Sequence, residues 1–332
     1  MISFSPIVTC FAFFASLTAA TCECGFSINS TDSPLHQIFT EFIETDFTDG
    51  TLGGWVPQTY SVSKDVSRGP YGKIASVKMA IPTKEGLELW VEGLSKDSGG
   101  SILMAEISTH RSDMIYGSFR VKAKMTDVPG TCAGFFWYSN DTQEIDMEFL
   151  SKQYANFGIV NLVNQSPKSQ AAGFNAASTP GFKVQHLPFR PDSDFHEYRF
   201  DWMPGSITYY ADGIPLQVFT QDLPGSPGHV ILNHWSNGDP GWSGGPPTQD
   251  TAVTIEYARL YFNSSDAREK ERFIRACPFG DSGKVCDIGG HVALMPPVST
   301  TANSWEVPGK VGPPAEKRRN EVIGAIVAVL TY

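Results

Sequence analysis

The chain has 332 residues, of which 41% are apolar and 12% aromatic, and its formal net charge is −10. That length and apolar content are enough for a sizeable core in one large domain or two smaller ones. An acidic chain without a basic stripe is not expected to bind nucleic acid, and suits neutral or polar ligands.

At the start, Ile7 to Leu17 form a mostly apolar run closed by small residues in "LTAAT". This predicts a secretory signal over residues 1–20, and hence a secreted protein, extracellular or at the cell surface. Four N-glycosylation sequons, at Asn29, Asn140, Asn164 and Asn263, agree with export. Beyond the signal, which contains Cys10, stand Cys22, Cys24, Cys132, Cys277 and Cys286. Cys277 and Cys286 enclose a short loop and are expected to pair. One of Cys22 or Cys24 is expected to pair with Cys132, leaving one thiol over. "CEC" lacks a second close Cys/His pair, so no metal is expected there, and no cofactor is expected elsewhere. Residues 21–74 read as an N-terminal extension packed on a main domain at 75–286.

From about Val77 to Asn263 the chain reads as strand after strand. "LELWVEG", "SILMAEIST", "YGSFRVKAKM", "CAGFFWYS", "EIDMEFLS", "FGIVNLVNQ", "HEYRFDW", "SITYYADG", "PLQVFTQD", "HVILNHWSN" and "TIEYARLYFN" are short and rich in β-branched and aromatic residues, with turn signals between them. Asp212-Gly213 is a good hairpin turn, because both residues tolerate positive φ. The pattern predicts an all-β sandwich of two antiparallel sheets. A short helix is expected at "AREKERFIRA", where Asp266 and Glu269 suggest a capping box. Residues 287–332, rich in Pro, Gly, Ser and Thr, read as a flexible tail. It ends in an apolar run, Val322 to Leu330, shorter than the roughly 20 residues that cross a bilayer. A lipid-anchor signal, a truncated anchor and a gene-model artefact stay open for it; the first two would bring cell-wall or membrane-surface association. A monomer is expected.

One stretch stands out. In "TQEIDMEFLS", residues 142–151, three acids alternate with three apolar residues. Strand alternation puts Ile145, Met147 and Phe149 on the core side, and Glu144, Asp146 and Glu148 together on the other. Like charges so placed repel, and that repulsion can set their pKa values apart. Glu144 and Glu148 have Cα atoms about 13 Å apart at strand rise. Inclined side chains could reduce their carboxyl separation to the roughly 5 Å of a retaining glycosidase.

"QEIDMEFLS" resembles the E-x-D-x-E signature of glycoside hydrolase family 16. "YGSFRVKAKM", "FHEYRFDWMPGSITYYADG" and "PGHVILNHWSNGDPGW" are similar to further stretches of that family, in order, over about residues 75–263. The resemblance implies a concanavalin A-like β-jelly roll with a glycan cleft. It implies Glu144 as nucleophile, Glu148 as general acid/base and Asp146 as an assisting acid. β-Glucan is the substrate class it implies, and it admits a structural calcium whose ligands the sequence does not place. Trp235 and Trp242 are expected at the cleft as platforms for sugar faces. Trp137 fits core and cleft equally, because Phe135, Trp137 and Ser139 share one strand face, and Phe136 and Tyr138 the other. Tyr138, Asn161, His234 and Arg111 complete the candidate substrate contacts, while Trp202 is expected in the core. Thr142 and Gln143 stand where lichenase-like relatives carry Trp-Asp, which removes a platform. Three activities remain open: glucan hydrolysis, glucan or chitin transglycosylation at the same site, and binding without catalysis.

Overall fold

The computed structural model describes residues 22–289 apart from 30–32, 34–35, 95–98, 155–157 and 278–283. The expected signal segment and the tail from residue 290 lie outside the described residues. Two large sheets face each other. One runs Phe182–Leu187, Gly158–Gln165, Gln143–Leu150, Cys132–Asn140, His229–Trp235, Ser101–Thr109, Gly72–Ala75, Tyr60–Val62, with Trp55–Pro57 also paired to Ser101–Thr109. The other runs Ile214–Phe219, Ser206–Ala211, His196–Met203, Met114–Lys124, Thr251–Ser264, Gly86–Val91, Ala80–Thr83, with Glu41–Asp46 on Thr251–Ser264. Pairing within both is antiparallel, except that Gly72–Ala75 runs parallel to Ser101–Thr109. This is the two-sheet sandwich that the alternating strands predict, and the jelly roll that the resemblance implies.

The layer between the sheets is aromatic, because each facing strand turns its large residues inward. Trp137 meets Trp202 at 4.5 Å between ring centroids, Phe149 meets Tyr198 at 4.5 Å, and Phe135 meets Phe200 at 5.0 Å. Each such ring buries about 150–250 Å² and carries much of the hydrophobic gain. The extension is woven into both sheets: Glu41–Asp46 extends the second, and Trp55–Pro57, Tyr60–Val62 and Gly72–Ala75 extend the first. The helix forms over Ala267–Ala276. Asp266 accepts from the Arg268 amide, but Glu269 turns to Arg272 instead of closing a capping box.

The cysteines pair differently from expectation. Cys22 bonds to Cys286 and Cys24 to Cys277, while Cys132 is a free, buried thiol. The reason is topological. Phe26–Ser27 lies parallel to Cys286–Asp287, so the N-terminal cysteines meet the C-terminal ones rather than Cys132 in the first sheet. Around this junction Phe26, Phe39, Met203 and Tyr261 form a second apolar cluster. The guanidinium groups of Arg120 and Arg199 donate to the carbonyls of Ile288 and Gly289.

The Asn164 sequon is also corrected. Its side chain is fully buried opposite Ile145, and its Nδ2, the atom a glycan would need, donates to the carbonyls of Gln221 and Asp222. Asn140 is exposed, its Oδ1 accepting from both the amide and the hydroxyl of Thr142.

Two outcomes follow. Glycopeptide mapping of protein from a glycosylating host is expected to find Asn164 unmodified; occupancy there would contradict its buried hydrogen bonds. The disulfides are nested, with sequence separations of 253 and 264 residues. Losing either leaves the long loop closed by the other and removes only a ring of roughly a dozen residues, about 3 kcal/mol on loop-entropy grounds. Losing both opens the long loop, for about 8 kcal/mol in total. Urea unfolding of Cys24→Ser/Cys277→Ser, of Cys22→Ser/Cys286→Ser and of the variant with all four changes should therefore show a combined cost larger than the sum of the two.

Candidate active site

The acid strand, Gln143–Leu150, lies inside the first sheet between Cys132–Asn140 and Gly158–Gln165. Opposed residues share a face, so the register lays out rows across it. Glu148 stands between Gly134 and Asn161, and the row continues through Asn233 to Glu106. Asp146 stands between Phe136 and Val163, and Glu144 between Tyr138 and Gln165. Gly134 is a requirement of this packing: a Cβ there would sit 2.7 Å from Asn233 Oδ1. On the reverse side Ile145, Met147 and Phe149 are wholly inside the core.

Electrostatics divide the three acids. Asp146 is only 5% exposed, and burial raises its pKa well above the usual range, with Glu144 and Glu148 adding to the rise. It therefore keeps a proton, which it shares with Glu144 in a hydrogen bond. Burial pushes Glu144 up to about 7, against the lowering effect of that bond. Burial also raises Glu148, while hydrogen bonds from Trp242 and Cys132, and the charges of Arg68 and Lys73, hold it down.

Several expected contacts take their places here. Trp242 is half-buried, its Nε1 donating to Glu148 Oε1 at 3.3 Å. Trp235 lies on the acid face, with Lys73 Nζ 4.2 Å from its ring centroid. Tyr138 lies on that face beside Glu144, its hydroxyl donating to Asp141. Asn161 is buried beneath it: its Nδ2 donates to the Glu148 carbonyl and to Gln153, clamping the acid strand. Gln143 binds the amides of Gly225 and Ser226 and the Ser226 hydroxyl, so it anchors the loop before His229–Trp235.

Three expected contacts are corrected. Trp137 points into the core, since odd-numbered residues of its strand face the other sheet; its Nε1 donates to the Met114 carbonyl. His234 likewise points inward and is fully buried. Its Nδ1 donates to the Leu89 carbonyl, and burial lowers its pKa to about 4, so it is neutral. Arg111 is bound to Glu41 and Asp113, with its guanidinium over the Phe262 ring, so it serves an ion-pair cluster near the second sheet.

Other residues at the site carry little signal in the sequence. Glu106 accepts from the Tyr60 hydroxyl and from Asn233, and Lys73 lies near it. Alternation in "SILMAEIST" could have found Glu106, which shares a face with Met104 and Ser108. Arg68 packs over the Phe174 ring at 5.0 Å. These two come from segments at opposite edges of the first sheet, so their contact crosses the acid face, and the Arg68 charge reaches Glu144 and Glu148. No local pattern predicts such a meeting.

Residues 73–259 match glycosyl hydrolases family 16. A β-glucanase of Paenibacillus polymyxa is 33% identical over 135 residues, covering 39% of this chain and 52% of that protein. The chain thus spans about half the length of the curated relatives it matches. Among solved structures, a Bacillus licheniformis β-glucanase superposes with a TM-score of 0.54 at 22% identity, covering 66% of this chain and 97% of that one. A transglycosylase solved with NAG gives 0.52 at 18% identity, covering 69% and 86%. Both share the fold. With more than half of its length matched by the family, this chain belongs to glycosyl hydrolases family 16.

Proposed function

We propose that the chain is a secreted glycosidase that cleaves internal β-glucosidic bonds of cell-wall glucan, β-1,3 or mixed β-1,3/1,4, by retaining double displacement. The observation that carries this reading is the acid row itself: three carboxyl groups on one strand face, one protonated and bonded to Glu144, another held by Trp242. Glu144 is the nucleophile. Asp146 donates to it and favours its carboxylate form, so that it can attack the anomeric carbon. Glu148 gives its proton to the departing glycosidic oxygen, then takes one from the water that cleaves the covalent glycosyl-enzyme. Trp242 and Trp235 offer apolar surface to sugar C–H faces. Two disulfides support maturation in an oxidising compartment.

Linkage-defined glucan oligosaccharides, with and without a labelled acceptor, are to be incubated with the protein and the products read by mass spectrometry and NMR. Shortened products whose anomeric configuration is first retained are expected. Elongated labelled products would assign transfer in place of hydrolysis, and inversion would overturn the nucleophile role. Glu144→Gln should lower kcat by at least about 1,000-fold while the protein stays folded.

The same substitution should change stability. The Glu144 pKa is raised from 4.5 to about 7, so the unfolded chain releases this proton at lower pH than the folded protein does. Its stabilising contribution is present below about 4.5 and lost as pH rises toward 7. Glutamine stays neutral throughout. Thermal melts of Glu144→Gln should therefore show a higher Tm than the native protein at pH 7.5, and no gain at pH 4. An equal gain at both pH values would contradict the assigned burial cost.

A further inference from the structure

We propose that Cys132 is a positioning residue for this reaction: with Trp242 it holds Oε1 of Glu148, so that the other oxygen, Oε2, is the one that exchanges a proton with the glycosidic oxygen. The inference rests on the acid/base reading of Glu148 given above, and adds the device that orients that carboxyl group.

Two donors converge on one oxygen. Cys132 Sγ lies 3.5 Å from Glu148 Oε1, and Trp242 Nε1 lies 3.3 Å from the same atom. They come from different elements, Cys132 from the strand beside the acid strand and Trp242 from the loop after His229–Trp235. The thiol is fully buried and forms no disulfide, whereas Cys22, Cys24, Cys277 and Cys286 are paired with one another. Burial first, and Glu148 second, keep it in the S–H form, so it donates rather than competes as an anion.

An oxygen that already faces an N–H and an S–H accepts hydrogen bonds in both protonation states of the acid. A proton placed on it would point at one donor or the other. The neutral acid therefore carries its proton on Oε2. The carboxyl group is also held against rotation, because the two donors reach it from different elements and Cys132 is fully buried. Gly134 helps, since a side chain there would push on Asn233 beside the acid. A thiol suits the position because it is a weak donor. It orients the carboxyl group while lowering its proton affinity less than a hydroxyl at ideal distance would.

Other charged groups act on Glu148. Glu144 and Asp146 share its strand face; the charges of Arg68 and Lys73 act on it, and Glu106 lies in its row, next to the strand of Lys73. None of them bonds to Oε1 among the described residues. Removing the thiol therefore leaves their charges in place and removes one donor to the ionised form.

The test is the pH profile of kcat/KM on a glucan for the full chain, with Cys132→Ala, Cys132→Ser and Trp242→Phe. Loss of a donor makes the ionised acid less favourable, so Cys132→Ala should move the basic limb up by about half a pH unit. Its kcat should fall several-fold while KM stays within about twofold, since the substrate is bound by other groups. Cys132→Ser, which restores a donor, should return the limb toward the native position. Trp242→Phe removes the second donor and should move the limb the same way, which keeps the idea testable if Cys132→Ala does not fold. A basic limb unmoved in the folded variants, with or without loss of activity, would overturn the positioning role. Glu148→Gln separates the two levels. If it still turns over glucan at the native rate, the acid/base reading itself fails. If it is inactive while the limb of Cys132→Ala is unchanged, only the role of Cys132 fails.

Discussion

The two-residue period of one interior strand carries the rest of the site. Gln143–Leu150 is paired on both sides, so its register cannot slip without turning Ile145, Met147 and Phe149 out of the core. Phe149 rests on Tyr198 of the facing sheet, in the aromatic layer that Trp137 and Trp202 continue. The apolar side therefore sets the direction of the acidic side. Three carboxyl groups stay aligned because Ile145, Met147 and Phe149 are buried in the core behind them.

That alignment works against stability. Burial raises the pKa of all three acids, so their ionised forms are disfavoured in the folded protein. The surroundings offset part of this. Asp146 keeps its proton and donates to Glu144, Trp242 and Cys132 donate to Glu148, and Asn161 ties the backbone beneath. The long disulfides lie elsewhere, at the junction of the two ends of the chain, so stability is reinforced away from the place where chemistry strains it. The extension joins these themes: it contributes strands to both sheets, one half of each disulfide, and Arg68 and Lys73 beside the acids.

How far the primary sequence reached depends on the range of the interaction. Strand alternation is local, so the sandwich, the inward Ile145, Met147 and Phe149, and the shared face of Glu144, Asp146 and Glu148 were legible in the order of residues. The helix at Ala267–Ala276 was legible for the same reason. Trp137 was ambiguous because alternation gives two faces without saying which is inner. His234 looked like a cleft residue because of its neighbour Trp235, yet adjacent strand residues point to opposite sides. Arg111 could not be placed without Glu41, some seventy positions earlier.

The sequence by itself thus determined the strands, their two-sided character and the acid row, since each follows from a period of two residues. Tertiary structure alone decided which cysteines pair, which tryptophans reach the acids, and which donors hold Glu148. Those choices depend on strand order: Cys132 adjoins the acid strand, Trp242 returns to it from a later loop, and Arg68 meets Phe174 from the opposite edge of the sheet. Strand order is set by the packing of two whole sheets against one another, and no short stretch of the chain contains it.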